Sequence, residues 1–345
     1  MQANKSIKIF VNYFLGPLLF AWLAFSIYTQ IRHQPQLEAS WQQIQASLHS
    51  AKIVYLLVAI LLLWANWGLE AIKWKVSVAS IQRISFGQAF KAVLSGVTFS
   101  VTMPNRVGEY LGRVLYLPEG SRLKTISVTL VGSFAQLLTT LAAGTLGLVV
   151  LKQQLLTVYP QLFIWYQFAL YGLVVLIGLL TLLYFNVAGT VFLFKRWFRN
   201  PKYTYWVEAL ENFHGSLLLK ILLLSFLRYA VFVVQYILIF YLFEVNVSIW
   251  LIGWVMSVVF LALAIVPSIA LVEIGIRGEI SLQLMALFSS NSLGIGLTTI
   301  TVWFINLILP AIAGSLLMLN LKAFAKRSEK LASVKSEVDD SIKRA

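Results

Sequence analysis

The chain has no cysteine among its 345 residues. That excludes disulfides, thiolate metal sites and cysteine nucleophiles. Aspartate is nearly as scarce, since Asp339 and Asp340 in the polar tail are the only two. Membrane enzymes that move phosphate or sugar groups with a metal held by paired aspartates are therefore excluded from the apolar body. The three histidines, His33, His49 and His214, share no metal-binding spacing. There is no glycine-rich phosphate loop, so nucleotide binding on this chain powers nothing. Charge is short as well: charged residues fill 12% of positions, about half of what a soluble domain uses to cover its surface. No catalytic residue, metal or cofactor is expected, and the chain is not expected to be an enzyme.

What the chain has is apolar length. Hydrophobic residues make up 59% of it, in runs long enough to cross a hydrocarbon core about 30 Å thick. Six segments read as full spans, at about 7–28, 52–72, 125–151, 162–186, 217–243 and 293–319. The first follows Lys5 and Lys8 but ends at Tyr28-Thr29-Gln30-Ile31-Arg32 without a small-residue cleavage site, so it reads as a retained span and not a signal peptide. The net charge of +14 does not form a stripe suited to nucleic acid. The basic residues gather in the gaps between spans, as cytoplasmic loops do.

Two further apolar stretches, 87–117 and 249–288, are broken at Met103-Pro104-Asn105 and Val266-Pro267-Ser268. Proline removes a backbone donor and clashes with the preceding turn, so each stretch splits into two short helices. Each is then either a re-entrant hairpin or a single broken span. With two hairpins, nineteen basic residues lie inside against three outside (Arg32, Lys52 and Lys152), and the positive-inside rule favours that arrangement. The fold expected is an all-α integral membrane protein of six full spans and two oppositely oriented re-entrant helical hairpins. It forms one membrane domain over 1–320, followed by a charged cytoplasmic tail at 321–345. Both termini are expected in the cytoplasm, and the location is the cell membrane.

A shift of about 163 residues lays repeat one (about 7–151) on repeat two (about 162–319). Ser85 lies nineteen residues before Pro104, and Ser248 nineteen before Pro267. Leu37, Trp41, Ile44 and Leu48 make the apolar face of an interfacial helix, and Tyr203, Trp206, Leu210 and Phe213 do the same in the second half. An odd number of crossings per half makes this an inverted repeat, with a site expected where the broken helices meet.

Charges inside a bilayer are expensive and mark function. The first hairpin carries Arg106, Glu109 and Arg113. Asn105 is placed to cap its second arm, and a helix start flanked by two guanidinium groups suits a phosphate or carboxylate. Glu109 and Arg113, at i and i+4, also neutralise each other. Gly108 and Gly112 leave a strip where a lipid chain or a helix approaches closely. The second hairpin repeats the pair with Glu273 and Arg277, and Glu279 reads as interfacial. Arg228 lies deep in its span, with Glu109 or Glu273 as its expected partner, either as a static lock or as a proton-coupled switch. Glu70 reads as a solvated or interfacial charge, and many of the eleven tryptophans fall near span ends and fit an aromatic belt.

The run Pro104-x-Arg106-x-Gly108-Glu109-x-x-x-Arg113, with a second proline-to-glutamate segment late in the chain, resembles the flippase-like family. That family contains the transmembrane region of lysylphosphatidylglycerol synthase, the multiple peptide resistance factor. The resemblance covers about residues 7–320. It departs from the family at Pro267-Ser268-Ile269-Ala270-Leu271-Val272-Glu273, which lacks the usual glycines. Synthase members also carry a large cytoplasmic transferase domain, and none is expected after residue 320. The resemblance therefore implies the lipid-moving half of that activity.

The function expected is a membrane lipid translocase for an anionic or phosphate-bearing lipid. Arg106 and Arg113 would bind the headgroup from the cytoplasmic side, while Glu109 sets their geometry or carries a proton. Glu273 and Arg277 would form the outer half-site, and Arg228 would couple the two. The alternatives are a secondary transporter of a small anion, or a non-transporting membrane partner of a cell-envelope lipid synthesis enzyme.

Overall fold

A computed structural model of the chain describes residues 25, 28, 29, 32, 33, 37–102, 107–197, 205–266 and 270–318. Most of the expected first span (7–28), both hairpin tips with Pro104, Asn105, Arg106 and Pro267, and the tail lie outside the described residues. Among the described residues the fold is all-helical. Five apolar helical runs are long enough to cross a membrane: Ile53–Val78, Arg122–Val150, Pro160–Phe185, Gly215–Leu242 and Ser292–Met318. Each measures about 40 Å at 1.5 Å per residue, and each lies within a few residues of an expected span.

In chain order the helices are α1 (Leu37–Leu48), α2 (Ile53–Val78), α3 (Phe86–Thr102), α4 (Gly108–Val114), α5 (Arg122–Val150) and α6 (Lys152–Val158). They continue with α7 (Phe163–Phe185), α8 (Val187–Trp197), α9 (Gly215–Leu242), α10 (Ile249–Ile265), α11 (Ala270–Met285) and α12 (Ser292–Trp303). α12 runs on through a π-turn at Phe304–Ile308.

The two serines that set the repeat register are helix starts. Ser85 accepts from the Gln88 backbone N–H at 3.2 Å while Gln88 Oε1 accepts from the Ser85 N–H at 3.1 Å, a reciprocal capping box. Ser248 caps α10 by accepting from the Leu251 N–H. α3 and α4 fold back on each other through glycine. A Cβ at Gly112 would overlap the Gly96 backbone, and one at Gly108 would overlap Phe99. The side-chain-free strip at Gly108 and Gly112 is thus occupied by a helix of the same chain.

Glycine also joins the two halves. Gly144 and Gly147 of α5 lie against Ser257, Leu261 and Trp254 of α10. Gly314, beyond the π-turn, lies against Leu94 and Thr98 of α3, where Thr98 Oγ1 donates to the Ala311 carbonyl at 2.9 Å. At a shift of 163, Leu94 and Thr98 correspond to Ser257 and Leu261, so the last long helix of each half packs on the equivalent place in the other half. Between them α2 and α9 run together, with Gln235 Nε2 donating to the Ala59 carbonyl at 2.9 Å.

Three segments differ from the sequence reading. α2 continues past residue 72 to Val78 and takes in Lys73, which the sequence placed in a cytoplasmic loop. Glu70, one turn earlier, pairs with it at 2.7 Å and removes the reason for the helix to stop there. The basic residues after α7 belong partly to a helix, α8, which follows after a turn at Asn186. The expected second interfacial helix is a short turn at 205–207 followed by a 3₁₀ segment at Glu208–Asn212, and Tyr203 lies outside the described residues. Glu208 is paired with Lys124 at 2.5 Å and Glu211 with Lys195 at 2.6 Å, which pins this segment by its acidic side. α1 is the amphipathic helix expected, with Ile44 buried and Trp41 exposed.

α9 ends at Glu244, a non-glycine residue in the left-handed region (φ 58°). The Val245 N–H donates to the Phe240 carbonyl at 2.9 Å, as in a Schellman ending that normally uses glycine there. The Glu244 carboxylate accepts from Ser47 at the end of α1 and from Lys52 Nζ at 2.6 Å. Burial raises the Glu244 pKa, but the bonds from Lys52 and Ser47 outweigh it and hold the carboxyl below its usual range.

Candidate functional site

Charged side chains from both halves meet at the centre of the helix bundle. The hub is Glu70 on α2, which is 4% exposed. Its carboxylate takes Lys73 Nζ at 2.7 Å, Arg113 Nη2 at 2.9 Å and Arg228 Nη1 at 3.2 Å. Arg113 on α4 also reaches Glu109 at 3.1 Å. Arg228 on α9 donates from Nε to Asn66 Oδ1 at 2.8 Å, and Asn66 donates to Asn306 Oδ1 at 2.8 Å. Asn306 sits in the π-turn of the last long helix, the kind of local bulge that concentrates at functional sites. On α11, Arg277 pairs with Glu273 and donates to the Tyr236 hydroxyl at 3.1 Å.

Among the described residues, three carboxylates and four cations make up this centre, leaving one positive charge in excess. A buried ion is tolerated only when partners and hydrogen bonds repay its lost hydration. A surplus of this sign is compatible with an anion and not with a further cation. A void of about 20 Å³ lies here, lined by Trp67, Glu109, Arg228, Glu273, Arg277 and Asn306 among others; it has room for roughly one water. It shares Arg228, Phe232, Glu273 and Arg277 with a groove of about 270 Å³. That groove runs out between α5, α9 and α10 past Gln136, Thr140, Tyr229 and Leu263. The groove wall is mixed, with Phe232, Phe260, Leu263 and Ala264 beside Gln136 and Thr140.

Of the residues singled out from sequence, Glu109, Arg113, Arg228, Glu273 and Arg277 all come to this one centre. Asn105 and Arg106 lie outside the described residues. Arg228 pairs with Glu70 at 3.2 Å, a carboxylate the sequence reading did not offer it, and lines the same void as Glu109 and Glu273. One expectation is corrected. Glu70 itself is buried among three cations and is not interfacial. A signal for it was present: Asn66, Glu70 and Lys73 fall at i, i+4 and i+7, one polar face on an otherwise apolar helix. Trp67 and Trp74, 4% and 1% exposed, belong to the interior, while Trp165, Trp197 and Trp250 are exposed.

The sequence matches the family model for the lysylphosphatidylglycerol synthase TM region over residues 13–314. None of the curated proteins and none of the solved structures compared with the chain matches it. The family match covers most of the chain and all five of the charged residues that the fold brings to the centre. The chain belongs to the lysylphosphatidylglycerol synthase TM region family, and is a multi-pass membrane protein tied to lipid metabolism.

Proposed function

We propose that the protein is a lipid translocase that moves an anionic or phosphate-bearing lipid between membrane leaflets, and that it is not an enzyme. The observation that carries this reading is the joined void and side groove, positively charged at the centre and partly apolar where it runs out between α5, α9 and α10, with Phe232, Phe260, Leu263 and Ala264 beside Gln136 and Thr140. A water-soluble ion has no use for an apolar side exit, whereas an acyl chain needs one for its headgroup to reach mid-membrane. The cross-packing of the two halves supports an inverted repeat, in which α3 with α4 and α10 with α11 are re-entrant hairpins entering from opposite faces. On this reading Glu109 with Arg113 serves one face and Glu273 with Arg277 the other. Arg228 joins them through Glu70 and Asn66. The protein would sit in the cell membrane with its basic loops and both termini in the cytoplasm, beside enzymes that make the lipid it moves.

Arg228 is the residue to test, because Glu70 keeps two cations when it is replaced. In vesicles holding tail-labelled phosphatidylglycerol, the wild type should bring protected label to the outer leaflet, where a membrane-impermeant reductant bleaches it. Arg228→Gln should slow this about tenfold or more, the scale of one lost charged hydrogen bond, with an unchanged gel-filtration profile. Wild-type rates from a folded Arg228→Gln protein would remove Arg228 from the mechanism. Uptake of inorganic phosphate without lipid movement would replace the translocase by an anion transporter.

A further inference from the structure

We propose that Trp67 and Trp303 are headgroup-binding residues, whose indole N–H groups donate to the oxygens of a phosphate-type oxyanion held at the central void. This deepens the translocase reading and rests on it for the lipid as the source of the oxyanion. Both residues line the void. Trp67 is 4% exposed, and the guanidinium of Arg228 lies over its ring at 5.0 Å. Neither indole N–H has an acceptor among the described residues. The third buried donor on the same void without one is Nε of Arg277, a residue 7% exposed. Leaving a buried donor unmatched is costly, so a group that stays that way needs a reason. The contrast lies two turns along the same helix, where Trp74 spends its N–H on Thr129 Oγ1 at 3.1 Å.

The chemistry of the wall decides what would fit. Indole and guanidinium groups donate and do not accept. The carboxylates and the amide oxygen on the same wall each already take a donor: Glu109 from Arg113, Glu273 from Arg277, and Asn306 Oδ1 from Asn66. What remains unspent is three N–H donors beside a surplus positive charge. One water accepts only two hydrogen bonds, so it leaves a donor unmet. A tetrahedral oxyanion offers several acceptor oxygens and the opposite charge. The void of about 20 Å³ is too small for it, so the walls must part, and the groove that shares Arg228 and Arg277 is where the headgroup arrives.

The test uses the full chain in detergent micelles with ¹⁵N-labelled indole nitrogens, titrated with short-chain phosphatidylglycerol, inorganic phosphate, or diacylglycerol of the same chain length. Two of the eleven tryptophan signals, assigned by their loss in Trp67→Phe and Trp303→Phe, should shift with phosphatidylglycerol and not with diacylglycerol. The double variant should bind phosphatidylglycerol about tenfold more weakly with its unliganded melting temperature unchanged. If a variant fails to fold, the wild-type spectrum decides: two signals move, or none does. An equal shift with inorganic phosphate upholds the oxyanion site and points to a free anion as its source. Phosphatidylglycerol binding with every indole signal unmoved, or no response to any probe, overturns the proposal and leaves a buried water there. Lipid movement in vesicles is read separately, so transport without an indole response sinks this inference alone.

Discussion

A single carboxylate holds the charged centre together. Glu70 compensates Lys73, Arg113 and Arg228 at once, so removing it takes a carboxylate from three buried cations, of which Arg113 keeps Glu109. Removing one partner from a buried ion pair typically costs about 3–5 kcal/mol. Glu70→Ala should therefore lower the melting temperature in detergent by far more than Glu208→Ala, whose pair with Lys124 is at the surface and is screened by water. Equal melting temperatures for the two variants would deny Glu70 its place as hub. Sequence shows that Arg228 needs a partner, since an arginine deep in an apolar helix cannot stand alone. It does not show which one, because the two residues are 158 positions apart and only packing brings them together. Trp67 was hidden for a different reason: tryptophan in an apolar span has a common explanation at the membrane surface, and periodicity does not distinguish depth.

Among the elements, the long helices were legible because length and apolarity suffice to define them. Their ends were less so. α2 runs on past its expected end because Glu70 cancels Lys73 inside the helix, and counting charges along a window does not see a cancelled pair. The serine caps and the proline breaks marked the hairpin arms from sequence, although the tips at 103–106 and 267–269 lie outside the described residues. How closely the arms pack is set by glycine, and this gives a test by sign. Gly68 faces open space, so Gly68→Ala should raise stability by about 0.5–1 kcal/mol through helix propensity alone. Gly112→Ala puts the same methyl group into the Gly96 backbone, and overpacking of this kind costs about 1–3 kcal/mol. Opposite signs in thermal unfolding are expected. A stabilised Gly112→Ala protein would mean that α3 and α4 do not close on each other as described.

For the whole molecule, the absence of native cysteine makes topology directly measurable. Single cysteines at Ser121 and Ser290, probed in intact cells with a membrane-impermeant thiol reagent, separate hairpins from single spans. Ser290 should label from outside. Ser121 should label only after the membrane is opened if α3 and α4 enter and leave on the cytoplasmic face. Labelling of Ser121 in intact cells would make that stretch a crossing and end the inverted repeat. The pairing pattern of the buried charges also bears on how the chain is built into the membrane. Lys73, Arg113 and Arg277 each bring a carboxylate on their own helix, at Glu70, Glu109 and Glu273, so each can leave the ribosome already neutralised. Arg228 cannot: α9 contains no acidic residue, and an arginine at the centre of an inserting helix costs about 2.5–3.5 kcal/mol. Its counter-ion, Glu70, waits on α2, synthesised some 150 residues earlier. The first half of the chain thus acts as a built-in chaperone for the insertion of the second.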